Sequence, residues 1–290
     1  MAETRAAEAF AKVNLGLVVS SRDSDGYHPL ISLAQSVSWA DRVEITPAAE
    51  DRFTVEGMDG SEDNLVWRAL QAIRSAVGSR RPVRLALAKD IAVAAGLGGG
   101  SADAAATLSL AAGLYGVALD RLAGMAFELG ADVPFCLSGG LAVLEGRGER
   151  ITAQPAVAGY ALGIVVPGFE LATPEVYRRW DALDGPEGVP FPVAALPPGL
   201  RRFEPLRNDL EPAACALAPG LADWRSELSV RWRRPVAMSG SGPALFGFFL
   251  DEDEADSALS DIPAGSRTAR AAIPVPRGWR RVAGTLADPE

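Results

Sequence analysis

Four short stretches carry the residue types that could do chemistry. In the run 10–19, FAKVNLGLVV, apolar residues alternate: Ala11, Val13, Leu15, Leu17 and Val19 share one face, and Lys12 and Asn14 share the other. A half-buried strand thus holds an ammonium beside an amide. Lysine occurs only at Lys12 and Lys89, and the other 26 basic residues are arginine. A lysine kept where arginine is the default suits a site that wants a compact ammonium rather than a planar fork. The second stretch, GLGGGS at 96–101, lies between a strand-like run and a helix-like one, the arrangement that offers successive backbone N–H groups to a phosphate. Glycine there allows positive φ and close approach, although a flexible turn is the plainer reading. A Walker A loop is excluded because both lysines follow alanine, and a dinucleotide fingerprint starting at Gly96 would need glycine where Ser101 stands. The third stretch, MSGSGPALF at 238–246, reads equally as a hairpin turn; with the first loop it suggests a phosphate-rich ligand held from two sides. In the fourth, GADVPF at 130–135, Asp132 either caps a turn or serves as a general base beside a γ-phosphate, partnered by an ammonium.

These groups need a scaffold to meet. After the strand over 10–19, the Asp25-Gly26 turn leads to a second strand near 31–39, and RVEIT at 42–46 reads as a third. Leu65, Ala69, Ile73 and Val77 recur every fourth residue and predict a helix over 62–77. The alternating run 82–88 leads into the glycine loop, which opens a helix over 101–115 with Ser101 as N-cap and Asp103 at the positive end of the dipole. A helix near 120–129 ends at Gly130, and a strand over 141–146 precedes the GRGER turn. A boundary near 150–158 divides the chain into 1–155 and 156–290. Beyond it come a strand at 161–166, a helix from about 174, a Pro/Gly-rich surface connection at 184–199 and helices near 209–217 and 220–229. Two strands flanking the second glycine loop, an acidic helix start and a last strand pair complete the chain. Strands and helices interleave in both halves without an internal repeat, an α/β or α+β pattern.

At 290 residues the chain has room for one large or two modest domains with a proper core. Its 28 Lys+Arg against 37 Asp+Glu leave a net charge of −9, which argues against a nucleic-acid coat protein or a polybasic membrane binder. A local nest of N–H groups can still hold an anion on such a protein. Two cysteines, Cys136 and Cys215, cannot build a disulfide scaffold or a cysteine-rich zinc site, and the single histidine, His28, removes two-His zinc chemistry. The first residues carry acidic side chains and no apolar run, unlike a signal peptide. The uncharged stretch between Asp103 and Asp120 has 16 residues, short of the ~20 that a membrane span needs. A soluble cytoplasmic protein is expected.

A-K-V-N-L at 11–15, D-G-Y-H at 25–28, D-N-L at 63–65, A-G-L-G-G-G-S at 95–101, G-A-D-V-P-F at 130–135 and S-G-S-G-P at 239–243 together resemble the GHMP kinases. The resemblance spans residues 9 to about 249. It implies an α+β two-domain fold: an N-terminal ribosomal-protein-S5-like nucleotide-binding domain, a C-terminal ferredoxin-like domain, and a site in the cleft between them. It implies ATP-dependent phosphorylation of an alcohol, with Mg2+. A-K-V-N-L followed by D-G-Y-H points within the family to a small-molecule substrate carrying cytidine diphosphate. A mevalonate- or homoserine-type kinase and a non-catalytic nucleotide-binding relative are the alternatives. No oligomeric state follows from these motifs.

Lys12 and Asp132 match the family's catalytic pair: Asp132 accepts the proton of the substrate hydroxyl, and Lys12 holds it ionised while stabilising charge on the transferring group. The ATP loop matches Ala92, Val93, Ala94, Ala95, Gly96, Leu97, Gly98, Gly99, Gly100, Ser101 and Ala102, and Asn64 falls on the adenine side. Tyr27 and His28 match the cytidine-recognition turn, and Tyr177, after Thr173 and Pro174, aligns with a ring that stacks on cytosine. A neutral imidazole can both donate to and accept from a pyrimidine edge. Asn14 would bond substrate or Asp132, and Ser239, Gly240 and Gly242 would line the site from the second domain. Ala92, Ala94 and Ala95 stand where the family often has a proline and two glycines, so the loop entry is expected to differ in shape. Ser101 is the local candidate for a magnesium ligand, and Asp103 reads as a helix-dipole residue.

Overall fold

In the computed structural model, which describes residues 3–56 and 58–283, twelve strands and eight α-helices alternate along the chain. They are β1 (Arg5–Val19), β2 (Leu30–Pro47), β3 (Arg52–Val55), β4 (Met58–Asp59), α1 (Leu65–Val77), β5 (Val83–Ala88), α2 (Gly99–Tyr115), α3 (Leu122–Leu129), α4 (Val133–Ser138), β6 (Leu141–Gly146) and β7 (Arg150–Gln154). There follow β8 (Ala161–Pro167), α5 (Thr173–Ala182), α6 (Glu211–Leu217), α7 (Gly220–Trp232), β9 (Ala237–Met238), β10 (Leu245–Phe249), α8 (Glu252–Leu259), β11 (Ser266–Ala272) and β12 (Trp279–Val282). Among the described residues no helix is long and apolar enough to cross a membrane.

The first sheet runs β12-β1-β2-β5-β3-β4, with β6 on the other half of β2 and β7 beyond it. The expected strands at 31–39 and 42–46 are one element, because β2 runs on without interruption through Ala40 and Asp41. Asp41 is an interior residue of this strand. Its Oδ1 accepts the backbone N–H groups of Asp90 (2.6 Å) and Ile91 (2.8 Å), and its Oδ2 pairs with Lys89, so burial leaves no unmet charge. The second sheet is antiparallel, in the order β11-β8-β10-β9. A βαββαβ chain order with the fourth strand beside the first is the ferredoxin-like arrangement. The last two strands do not pair with each other: β11 closes the second sheet, while β12 returns to β1 with Ala6 opposite Val282.

Four layers result, helices outside and two sheets face to face. Alanines of α2 (Ala102, Ala104, Ala105, Ala106, Ala111, Ala112) let that helix sink against the first sheet and α1. Alternation then divides β8: Leu162, Ile164 and Val166 meet Val13, Leu15 and Trp39 of the first sheet, while Ala161 and Val165 meet the helices beyond. The far end of β1 is tied to the second half of the chain, since Leu17 N–H donates to Arg207 O (2.7 Å) and Asp209 N–H donates to Leu17 O (2.9 Å).

The returning chain passes through a joint with no spare room. A Cβ on Gly278 would lie 1.8 Å from the Cys136 carbonyl oxygen, and Gly139 meets the same segment. Gly278→Ala is therefore expected to destabilise the fold by about 2–3 kcal/mol and lower Tm by about 5–10 °C in a thermal melt. An unchanged Tm would mean that the β12 return is not held at this contact.

Candidate active site

The strand β1 carries register shifts between Phe10 and Lys12 and between Asn14 and Gly16, which bracket the two polar residues that matter. At the first shift Lys12 N–H donates to Leu97 O at 2.9 Å, so the glycine loop sits directly on the strand. Lys12 is 5% exposed, its Nζ bonded to Asn14 Oδ1 and 3.2 Å from Asp132 Oδ2. Asn14 Nδ2 donates to Ser32 Oγ (2.7 Å), which donates to Gly16 O (2.8 Å), fixing which amide atom faces Lys12. Residues 120 positions apart in sequence thus form one ion pair at the wall of an open cavity of about 840 Å³. Asp132 does stand at a helix start, as the N-cap position of α4, but its side chain makes no capping bond and faces Lys12 instead.

The loop 92–101 lines this cavity, while Ala102 is buried in the core beneath it. The helix it opens begins at Gly99 with Gly98 as cap residue, so Ser101 is a cavity-lining residue of the first turn and not the N-cap. Gly98 has φ +67°, and a Cβ there would strike Lys12 Cγ at 2.8 Å. Glycine is required for both reasons. Ala94 takes φ +52°, the left-handed region that alanine avoids, whereas Ala92 and Ala95 do not. The loop entry therefore keeps a glycine-like path at one alanine. Asn64 lines the cavity too, with its Oδ1 already accepting Val66 N–H at 2.9 Å as the cap of α1.

The second glycine loop is not a free wall. Ser239 Oγ accepts Asn14 N–H (3.1 Å) and donates to Gly96 O (2.9 Å), and Ala244 N–H donates to Ala95 O (3.1 Å). Ser239 and Gly242 therefore lie behind the lining, joining loop to loop, and only Gly240 and Ser241 reach the cavity. Asn208, which sequence reasoning missed, donates to both Met238 O and Gly240 O at 2.8 Å and sets this loop's course. A polar Asn-Asp pair ahead of a helix was its only signal. Thr173, first residue of α5, shares a hydroxyl contact with Ser241 at 2.8 Å.

Tyr27, His28 and Tyr177 all line the cavity. His28 stacks on Tyr177 (centroids 5.6 Å apart) and meets Trp180 edge-on (5.1 Å). Its Nδ1 lies 2.9 Å from Ser20 O, and since a carbonyl only accepts, that nitrogen carries the proton. Its Nε2 lies 3.0 Å from Asp181 Oδ1, out of line for a hydrogen bond. Nδ1 is thus engaged by the backbone, and Nε2 has no hydrogen-bond partner beside Asp181. Burial, then the charge of Asp132, push the Tyr177 hydroxyl up to about 12, so it stays a neutral donor.

Asp103 is not a dipole residue. It lies beyond the first turn of α2, buried, with Oδ2 2.8 Å from Lys89 Nζ, while Asp41 pairs with the same ammonium. Two carboxylates share one lysine, and Asp103 Oδ1 has no partner. Desolvation outweighs the attraction of Lys89 and pushes the Asp103 carboxyl up to about 8. Lys89, the chain's other lysine, lines the cavity and lies 3.3 Å from where a Cβ on Gly99 would be. Among the described residues no group of three or more His, Cys, Asp or Glu side chains could hold a metal ion.

Two outcomes follow from this geometry. Ala94→Gly should stabilise the protein by about 0.5–1 kcal/mol in a denaturant titration, because relief of the left-handed alanine exceeds the added chain entropy. For Asp103 the folded group keeps its proton while the unfolded carboxyl has lost it, so stability falls as pH rises from about 4 to about 8. Asp103→Asn lacks this dependence. Its Tm relative to the parent should climb between pH 5 and 8 and level off above, and a pH-independent difference would contradict the assignment.

Residues 64–140 match the GHMP kinases N terminal domain, and residues 198–266 match the GHMP kinases C terminal domain. The chain is 39% identical over 270 residues to 4-diphosphocytidyl-2-C-methyl-D-erythritol kinase of Sinorhizobium medicae, covering 88% of this chain and 89% of that protein. It is 39% identical over 259 residues to the enzyme of the same name from Moorella thermoacetica, covering 85% and 90%. A crystal structure of 4-(cytidine 5'-diphospho)-2C-methyl-D-erythritol kinase superposes with a TM-score of 0.77 at 39% identity, over 93% of this chain and 98% of that one. Homoserine kinase from Cytophaga hutchinsonii, at 20% identity and a TM-score of 0.70, shares the fold. With both domains matched and relatives at this identity along nearly the whole chain, the protein belongs to the GHMP kinases, in the 4-diphosphocytidyl-2-C-methyl-D-erythritol kinase family.

Proposed function

We propose that this chain transfers the γ-phosphoryl group of ATP to the 2-hydroxyl of 4-diphosphocytidyl-2-C-methyl-D-erythritol, a step of non-mevalonate isoprenoid synthesis. The observation that carries the reading is the Lys12–Asp132 pair, 3.2 Å apart, at the wall of a cavity that also holds the glycine loop and the aromatic trio. Asp132 takes the proton of the substrate hydroxyl as its oxygen bonds to the γ-phosphorus, and the bond from that phosphorus to the β–γ bridging oxygen breaks to release ADP. With a side chain 38% exposed, Asp132 can return the proton to solvent. Lys12 has three N–H donors; Asn14 and Asp132 engage two, and the third is left for an oxygen of the transferring group.

The backbone N–H groups of the loop 96–101 cradle the ATP phosphates at the N-terminus of α2. Mg2+ would be held mainly by phosphate oxygens and water, with the Ser101 hydroxyl as the protein ligand that fits, and it would neutralise charge between the β- and γ-phosphates. Tyr27 and Tyr177 take the cytosine ring, and His28 supports Tyr177 from behind. The division near residue 155 separates a nucleotide-side unit from a substrate-side unit, with β12 returned to the first. Two free cysteines suit a reducing cytoplasm.

In a coupled ADP-release assay with 4-diphosphocytidyl-2-C-methyl-D-erythritol, the parent should turn over and CDP should compete with that substrate. Asp132→Asn should cut kcat by about 10²–10⁴-fold. Near-parent turnover by Asp132→Asn would refute the mechanism, while indifference to CDP together with turnover of mevalonate or homoserine would refute the substrate.

A further inference from the structure

The turn between β6 and β7, residues 146–149, has no role so far, yet it touches both the substrate loop and the catalytic turn. Tyr27 is 57% exposed and lines the cavity. One face of its ring is covered: the guanidinium carbon of Arg147 lies 3.8 Å from the ring centroid. Arg147 Nη2 donates to Asp25 Oδ2 at 2.8 Å and reaches Asp23 Oδ2 at 3.4 Å. Asp23 uses its other oxygen to accept the backbone N–H groups of Asp25 (3.0 Å) and Tyr27 (2.9 Å). Asp25 makes the shorter bond to the guanidinium, and Asp23, at the longer distance, also sets the backbone that carries the tyrosine.

The turn itself is held against the catalytic side. Arg147 N–H donates to Glu149 Oε2 at 2.5 Å. Gly148, at φ +103°, lies so close to the residue before Asp132 that a Cβ would stand 2.9 Å from the Ala131 carbonyl oxygen. One short turn thus references the Tyr27 ring to the general base.

We propose that Arg147 is a positioning residue for pyrimidine recognition: its planar guanidinium clamps the Tyr27 ring from behind, so that the open face is a preset stacking platform for cytosine at a fixed distance from Asp132. A flat cation packs on an aromatic face where an ammonium does not, and a platform ordered before binding removes the ordering cost from the binding step. This inference rests on the cytidine reading of the site.

The test compares Arg147→Ala and Arg147→Lys with the parent in KM for the cytidylated substrate, KM for ATP, inhibition by CDP and Tm. Arg147→Ala should raise the substrate KM and the CDP inhibition constant about tenfold, with KM for ATP within about twofold and Tm within about 2 °C. Arg147→Lys, which can keep the ion pair with Asp25 without the flat stack, should recover less than half of the loss. Parent-like substrate KM in Arg147→Ala, an equal rise in both KM values, or full rescue by lysine would each overturn the proposal. A parent enzyme that neither turns over the substrate nor responds to CDP would overturn the proposed function and this inference with it, before any variant is measured.

Discussion

The site depends on one junction of backbone, where an irregular strand meets two glycine loops. Lys12 N–H bonds Leu97 O, Ser239 Oγ bridges Asn14 N–H and Gly96 O, and Ala244 N–H bonds Ala95 O. These bonds join the first sheet, the glycine loop and the second sheet at one point, so both halves of the chain fix the loop's shape. Side chains at this point would obstruct it. A Cβ on Gly96 would lie 2.3 Å from Ser239 O, and one on Gly240 would lie 3.1 Å from Asn14 Oδ1. The glycines here serve close packing between loops as much as access for a ligand.

The two lysines of the chain have parallel surroundings. Each meets aspartate and each borders the glycine loop: Lys12, buried, with Asp132 and Asn14, and Lys89, partly buried, with Asp41 and Asp103. A compact ammonium can point three donors into a small space where a guanidinium would need a flat slot. The balance of charge separates their roles. Asp132 is partly exposed, whereas Asp103 is sealed in and holds its proton by desolvation. Three arginines, Arg22, Arg147 and Arg178, also line the cavity, and each is paired with carboxylates: Asp181, Asp23 with Asp25, and Glu175.

The loop between β1 and β2 is held from both sides. Arg22 pairs with Asp181 of α5, and Arg147 of the β6–β7 turn pairs with Asp23 and Asp25. Exposed pairs of this kind add little stability, so their consequence is geometric: they orient Tyr27 and His28 relative to elements far away in sequence.

Local physics made much of this protein legible from sequence. Strand alternation put Lys12 and Asn14 on one face, glycine spacing marked the loop and ruled out a dinucleotide fingerprint, and the Gly-Ala-Asp-Val-Pro turn singled out Asp132; each signal lies within a dozen residues. Only the tertiary structure decided the partners. It carried β2 straight through Asp41, moved the start of α2 from Ser101 to Gly98 and Gly99, turned Asp103 toward Lys89, put Ser239 behind the wall and returned β12 to β1. The reason is that period and turn chemistry are written in neighbouring residues, whereas a buried charge or an unmet donor is satisfied by whichever group folding brings near, here from 14 to 225 positions away.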